Sequence, residues 1–438
     1  MVATLPIKTS RLDNGLLLTL SPDRTAPIVA VNLWYHVGSA NEREGRTGFA
    51  HLFEHMLFQG SEHVAANEHF ELIQRAGGTL NGSTWLDRTN YFETIPSQQL
   101  ELALWLEADR MGRLLPAMTQ EKLDTQRDVV KNERRWSVDN QPYGSWWERL
   151  PALCFPPSHP FHHSLMGSME DLSAASLEDV AAFFRTFYTP DNAVLSIAGD
   201  VDEDEAHLLV SRHFGWIARG NGRPPLPSME VAPRFGSWLR AVVEDDVAVP
   251  RVFLACRTPV FASEGYYAAS TIAAMLGTGR GSRLHESLVR ERQLASMATA
   301  FTFDLSKGSD LLVVDATARP GVTAEALEQG IVDVLDELRH EGPRPGELDR
   351  VLAQTETEFV TSMQSAGDRA EQLSRFATYL GDPGMLNDQL ARYREVTDES
   401  VRTMAADLLG PDNRASLVYI PRKDASAVDA SVVDASVS

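Results

Sequence analysis

His51, Glu54 and His55, in the order His-x-x-Glu-His, are the residues of this chain best placed to do chemistry. On an α-helix two histidines four apart lie one above the other, and a glutamate three after the first shares their side. Two neutral imidazoles on one face suit a divalent ion such as zinc. A carboxylate beside them that is not itself a ligand can take a proton from a water the ion has acidified. Together these parts can hydrolyse a peptide bond. A catalytic zinc also needs a third protein ligand and one open position, and that ligand must come from elsewhere in the chain.

A helix has to carry the motif. At about 100° per residue, Phe49, Leu52, Phe53, Met56 and Leu57 form one apolar stripe, with the three polar groups opposite. Thr47 is the expected N-cap and Gly60 the expected stop.

With 438 residues, 43% of them hydrophobic, the chain exceeds one ordinary domain. The segment 218–228, rich in Gly, Pro and Arg, reads as a linker near the middle. Each half closes with a similar passage. Ser176-Leu-Glu-Asp-Val180, a helix, Pro190-Asp-Asn192 and an apolar run recur 221 residues later as Thr397-Asp-Glu-Ser-Val401, a helix, Pro411-Asp-Asn413 and a second run. An offset of 219 sets Met56-Leu57 on Met275-Leu276. These offsets mark an internal duplication. At the 219 offset His51, Glu54 and His55 become Ser270, Ala273 and Ala274, so the second half is expected to keep the fold without the metal.

Runs such as Ile28–Tyr35, Val252–Cys256 and Leu311–Asp315 read as strands; Leu100–Arg113, Thr119–Trp136 and Thr323–His340 read as helices. The class is therefore α+β, two homologous α/β-sandwich halves. The expected divisions are an N-terminal domain 1–217 bearing the zinc site, a linker 218–235, a C-terminal domain 236–422 and a low-complexity, disordered tail 423–438.

A net charge of −21 argues against a nucleic-acid partner. It serves solubility, or it lines an acidic chamber that attracts cationic peptides. No run of 18 apolar residues predicts a membrane span. The N-terminus lacks the pattern of a signal peptide, which points to the cytoplasm, or to the periplasm had a leader been removed. Cys154 and Cys256 are too few for a disulfide framework and read as free, buried thiols.

Thr47-Gly-Phe-Ala-His-Leu-Phe-Glu-His-Met-Leu-Phe-Gln-Gly-Ser61 resembles the active-site helix of the pitrilysin/insulin-degrading/mitochondrial processing peptidase family, whose inverted zinc motif makes its members inverzincins. Gln126-Arg-Asp-Val-Val-Lys-Asn-Glu133 resembles the family's later helix, and Glu133 matches its third ligand. The resemblance covers the whole chain and implies one zinc per chain, held by His51, His55 and Glu133. Glu54 would be the general base of an endopeptidase acting on unfolded peptides or leader segments. Asn81, Gly82 and Ser83 resemble the strand beside the metal, whose edge would pair with substrate; an ordinary strand after a turn is the other reading.

Departures count too. Where several relatives have a glutamate seven residues before the ligand, this chain has Gln126, which suits an outer-shell hydrogen bonder. Single-chain members carry an arginine and a tyrosine in the second half that bind substrate and oxyanion. The matching positions here are Val289 and Ser296, with Arg290 and Arg292 out of register. The resemblance then implies a dimer, with an Arg/Tyr-bearing homologue as partner favoured over a second copy. The alternative function is a non-catalytic scaffolding subunit of a processing-peptidase-like complex. His159, His162 and His163 are either a second metal cluster or a surface loop rich in histidine.

Overall fold

The computed structural model describes residues 4–422 except 226, so the expected tail lies outside the described residues. Among the described residues eleven strands form two sheets: β1 (Lys8–Arg11), β2 (Leu17–Pro22), β3 (Ile28–Tyr35), β4 (Thr79–Thr84), β5 (Thr89–Pro96) and β6 (Ala193–Gly199) in the first, and β7 (Leu239–Asp245), β8 (Arg251–Thr258), β9 (Ala295–Thr302), β10 (Asp310–Ala318) and β11 (Ala415–Pro421) in the second. The first sheet runs β1-β2-β6-β3-β5-β4, the second β7-β11-β8-β10-β9. In each, the first strand of the repeat lies parallel to the last (β2 with β6, β7 with β11), and the other pairings within the repeat are antiparallel. Remove β1 and the two sheets have one topology. The fold is α+β with two homologous halves, as the offsets imply.

The duplication reaches single hydrogen bonds. Asn192 Nδ2 donates to the carbonyls of His36 and Phe187; 221 residues on, Asn413 Nδ2 donates to those of Arg257 and Leu408. Ser176 and Thr397 each head a helix through a capping box. One buried amide in each half thus ties the turn before the last strand to the end of an earlier one.

Every residue of β3 after Ile28 is buried, because helices cover both faces of its sheet. On one face lies the Leu100–Arg113 helix, which forms where expected. The other face is covered by the Ala366–Leu380 helix, which comes from the second half of the sequence. It docks through polar contacts. Glu371 Oε2 accepts from Asn32 Nδ2 (2.7 Å), Trp34 Nε1 (3.0 Å) and Asn90 Nδ2 (3.0 Å), and Arg369 pairs with Asp23 at 2.6 Å.

The reverse also holds. The Trp146–Cys154 helix, from the first half, packs on β8 and β11 of the second sheet. Trp146 stacks on Phe253 with ring centroids 4.6 Å apart, and Arg257 Nη2 donates to the Cys154 carbonyl at 2.6 Å. The compact units are accordingly interleaved. Among the described residues, one holds 4–135, Pro157–Met229 and Leu352–Glu395; the other holds Trp136–Pro156, Glu230–Val351 and 396–422. The linker segment is tied down in part, since Gly220 and Gly222 donate their N–H groups to the Asp191 carboxylate. Cys154 and Cys256 are buried free thiols. No helix among the described residues is long and apolar enough to cross a membrane.

Candidate metal centre

The motif helix spans Phe49–Met56, shorter than the sequence suggests. Gly48, at φ 83°, is the N-cap, not Thr47. Thr47 instead gives its N–H and hydroxyl to Asp171 and accepts from the Ser168 N–H. A glycine is required at 48, where a Cβ would meet the Met166 carbonyl oxygen at 2.5 Å. Leu52, Phe53 and Met56 are fully buried on the apolar side, with Phe53 stacked on Tyr188. The polar side is not open either: His51 is only 7% exposed, because the Gln120–Arg134 helix packs against it.

That second helix brings Glu133 to the histidines. His55 Nε2 lies 3.1 Å from Glu133 Oε2, and His51 Nε2 lies 3.8 Å from Glu133 Oε1. Ligands about 2.1 Å from a tetrahedral zinc stand about 3.4 Å apart, so the trio fits such an ion. Among the described residues these three donor atoms form one of two groups that could hold a metal. Burial, then the neighbouring His55, pushes His51 down to about 4, so it is neutral and its lone pair is available near pH 7. The hydrogen bond from His55 holds the Glu133 carboxyl below its ordinary value, so it is anionic. Both are the protonation states a metal requires.

Glu54 stands outside the trio. Its Oε2 accepts from the Thr84 hydroxyl at 2.7 Å, and burial raises its carboxyl above the usual range. Gly82 packs against it, since a Cβ there would sit 3.2 Å from Glu54 Cγ and 3.1 Å from Phe58 Cε2. Glu54 and His55 open onto a cavity of about 300 Å³ whose walls include Phe58, Phe70, Asn81 and Gln126. Gln126 is buried on the helix that carries Glu133 and lines the same cavity as Glu54 and His55.

Asn81, Gly82 and Ser83 lie on β4, the terminal strand of its sheet, with a neighbour on one side only. They divide by strand alternation. Gly82 and Thr84 face the motif helix. The Ser83 hydroxyl donates to Asn90 Oδ1 at 2.7 Å, and its carbonyl accepts from Arg88 at 3.0 Å. The structure therefore gathers the motif, Glu133, Gln126 and the edge strand in one unit.

In the second half, the Tyr266–Gly277 helix follows β8 as the motif helix follows β3, with Ser270, Ala273 and Ala274 in place of the polar trio. Val289 lies on a wide helical turn, His285–Glu291, and the Ser296 hydroxyl on β9 donates to the carbonyls of Thr317 and Ala318. Arg290 pairs with Glu286, and Arg292 with Asp333.

The histidine cluster is not one site. His159 is buried, accepting from the Phe161 N–H at Nδ1 and facing the Met229 carbonyl with Nε2; neither a surface loop nor a metal site describes it. Sequence reasoning missed Thr84 and a second buried group, His69, Glu93 and Glu107. Here Arg110 already supplies the cation. It pairs with Glu107 one helical turn away and lies 4.0 Å over the Tyr91 ring. Burial works against the Glu107 charge, but Arg110 outweighs it and takes the carboxyl down to about 2. Burial and the Glu107 charge push Glu93 far up, so it is neutral.

An asymmetry follows. Glu107→Gln is expected to destabilise the fold by about 3–5 kcal/mol, because Arg110 is left charged and unpaired in the core. Glu93→Gln, which replaces a neutral acid by a neutral amide, should cost under about 1.5 kcal/mol. Urea unfolding of the two variants checks this; equal losses would contradict the assigned charges. The Glu-x-x-Arg spacing at 107–110 was the available signal, but nothing local says that it is buried.

A duplicated α+β fold with a two-histidine, one-glutamate trio beside a held carboxylate defines the zinc-peptidase-like class. Comparison with known proteins agrees. Residues 18–152 match the family described as Insulinase (Peptidase family M16), and residues 174–355 match its Peptidase M16 inactive domain. Zinc protease PqqE of Helicobacter pylori is 32% identical over 84% of this chain and 82% of its own. The crystal structure of a protease from Helicobacter pylori superposes with a TM-score of 0.90 at 28% identity, covering 95% of this chain and all of that one. The beta subunit of the mitochondrial-processing peptidase of Blastocladiella emersonii is 25% identical over 84% of this chain and 78% of its own. The chain belongs to peptidase family M16.

Proposed function

We propose that this chain is a zinc-dependent endopeptidase that cleaves unfolded peptides or leader segments, with one zinc held by His51, His55 and Glu133. The observation that carries the reading is Glu54. It stands on the helix of both histidines, outside the trio, fixed by Thr84 from the terminal strand. A zinc ion in the trio would polarise the scissile carbonyl and ionise a water at neutral pH. Glu54 then accepts the water's proton and passes it to the leaving amine. The free side of β4 adds the substrate as an extended strand, through backbone hydrogen bonds that demand no particular sequence. The cavity lined by Phe58, Phe70 and Asn81 receives a side chain next to the scissile bond.

The catalytic unit in this reading is a dimer in which an Arg/Tyr-bearing homologue completes the site. Val289 has no donor to offer an oxyanion, the Ser296 hydroxyl already donates to the Thr317 and Ala318 carbonyls, and Arg290 and Arg292 are engaged in ion pairs. The mitochondrial relative is itself named as a subunit. Loss of an oxyanion donor costs about 100- to 1,000-fold in rate. The isolated zinc-loaded chain is therefore expected to cleave unfolded peptides poorly, and addition of the homologue to raise turnover by a comparable factor. Full activity alone, unchanged by the homologue, would refute the two-subunit arrangement. Absence of cleavage in both samples, with zinc bound, would favour the scaffolding alternative.

A further inference from the structure

We infer that Glu42 and His163 form a positioning pair that sets the motif helix and, through it, His51, Glu54 and His55. The inference rests on the metallopeptidase reading and adds two residues to its machinery.

The geometry is a relay of short contacts. Glu42 lies in the loop before the helix, with its side chain fully buried. One oxygen, Oε2, accepts from the Gly48 N–H at 2.9 Å; the other, Oε1, accepts from the Ala50 N–H at 2.8 Å. The helix has no side-chain cap from its own N-cap residue, because that residue is Gly48. Glu42 thus replaces the missing cap from six residues upstream. It satisfies two N–H groups at the helix start, where a negative charge is also favoured by the peptide dipoles. His51 follows Ala50 directly, so the carboxylate is one residue from the first proposed ligand.

His163 closes the relay. Its Nε2 lies 3.1 Å from Glu42 Oε2. It comes from the loop between the Trp146–Cys154 helix and the Met169–Ala174 helix; Ser168 at the end of that loop and Asp171 in the first turn of the following helix anchor Thr47. Burial raises the Glu42 carboxyl above its ordinary value, while the imidazole and the Ala50 and Gly48 N–H groups work the other way. Burial is the largest single influence on His163 and works against its charge, but the Glu42 hydrogen bond and charge, with the Ser39 backbone and the Asp171 charge, together outweigh it and favour the cationic form. An anionic cap that would be costly alone is stabilised by a cation from another segment. Two bonds to N–H groups two residues apart in the first turn fix the start of an eight-residue helix, which is too short to hold its place by its own hydrogen bonds.

A merely structural cap would change stability and leave the site as it is; a positioning pair also changes the site. The test uses the full-length protein loaded with cobalt(II), whose visible spectrum reports ligand geometry. Wild type, His163→Ala, His163→Gln and Glu42→Gln are compared for cobalt spectrum, for amide exchange of residues 50–55 without metal, and for kcat and KM with the complete assembly. His163→Ala should alter the spectrum, speed exchange and lower kcat by about 10- to 100-fold with KM little changed. His163→Gln, whose amide can still donate to Glu42, should restore most of each. Glu42→Gln should behave as His163→Ala or worse. A His163→Ala protein that is less stable but keeps the wild-type spectrum and kcat overturns the proposal. A wild-type protein that binds no cobalt overturns the metal reading itself, a distinguishable failure.

Discussion

Glu54→Gln is expected to keep its zinc and to lose turnover by about a hundred- to ten-thousandfold. The substitution is nearly isosteric. Its amide oxygen can still accept from the Thr84 hydroxyl, so the side chain stays where the structure places Glu54, against Gly82 and Phe58. What disappears is the capacity to take and return a proton. Burial raises the Glu54 carboxyl above the ordinary glutamate range, which brings it closer to the pH at which a base both accepts and releases. Metal content and peptide cleavage should be measured on the same sample, with any partner present. A variant that comes out metal-free would mean that Glu54 is a ligand, and the division of labour within the motif would be wrong.

Glu133→Ala is expected to lose stoichiometric zinc. Glu133 is the only anionic member of the trio, and it comes from a different helix from the other two. Without it, two neutral imidazoles on one helix face remain, and charge neutralisation of the ion is gone. Gln126→Ala removes only a neighbour on the same helix and should weaken zinc by no more than about 10- to 100-fold. Competition against a chromophoric chelator ranks the three proteins. If Glu133→Ala binds as wild type does, the third ligand lies elsewhere.

The motif, its helix and the duplication were legible because each is written in local spacing. His51, Glu54 and His55 share a helix face whatever lies around them, and the 221 offset returns even the Asn192 and Asn413 side-chain bonds. Other features depend on residues distant in sequence and left no periodic trace. Thr47 reads as a cap, yet its hydroxyl is taken by Asp171, 124 residues away. His51 reads as facing outward, yet the helix that buries it begins 69 residues later. Thr84 looks like any strand threonine until β4 is laid beside the motif helix. Glu93 and Glu107 carry no local sign of burial, which comes with the packing of β5 against the Leu100–Arg113 helix.

The exchanged helices bear on the order in which the molecule can be finished during synthesis. When Gly199 leaves the ribosome every strand of the first sheet exists, together with both helices that carry the proposed metal ligands. The face of β3 that Glu371, Ser374 and Arg369 later cover is still bare. At ~5–20 residues per second, Ala366 follows roughly 10–35 s later. Throughout that interval the nascent lobe presents Ala30, Trp34 and Val194, with the amide of Asn32, to water or to a chaperone. Completion of the first lobe thus waits on translation of most of the second, and the lobe with the proposed metal site is sealed by one of the last helices made.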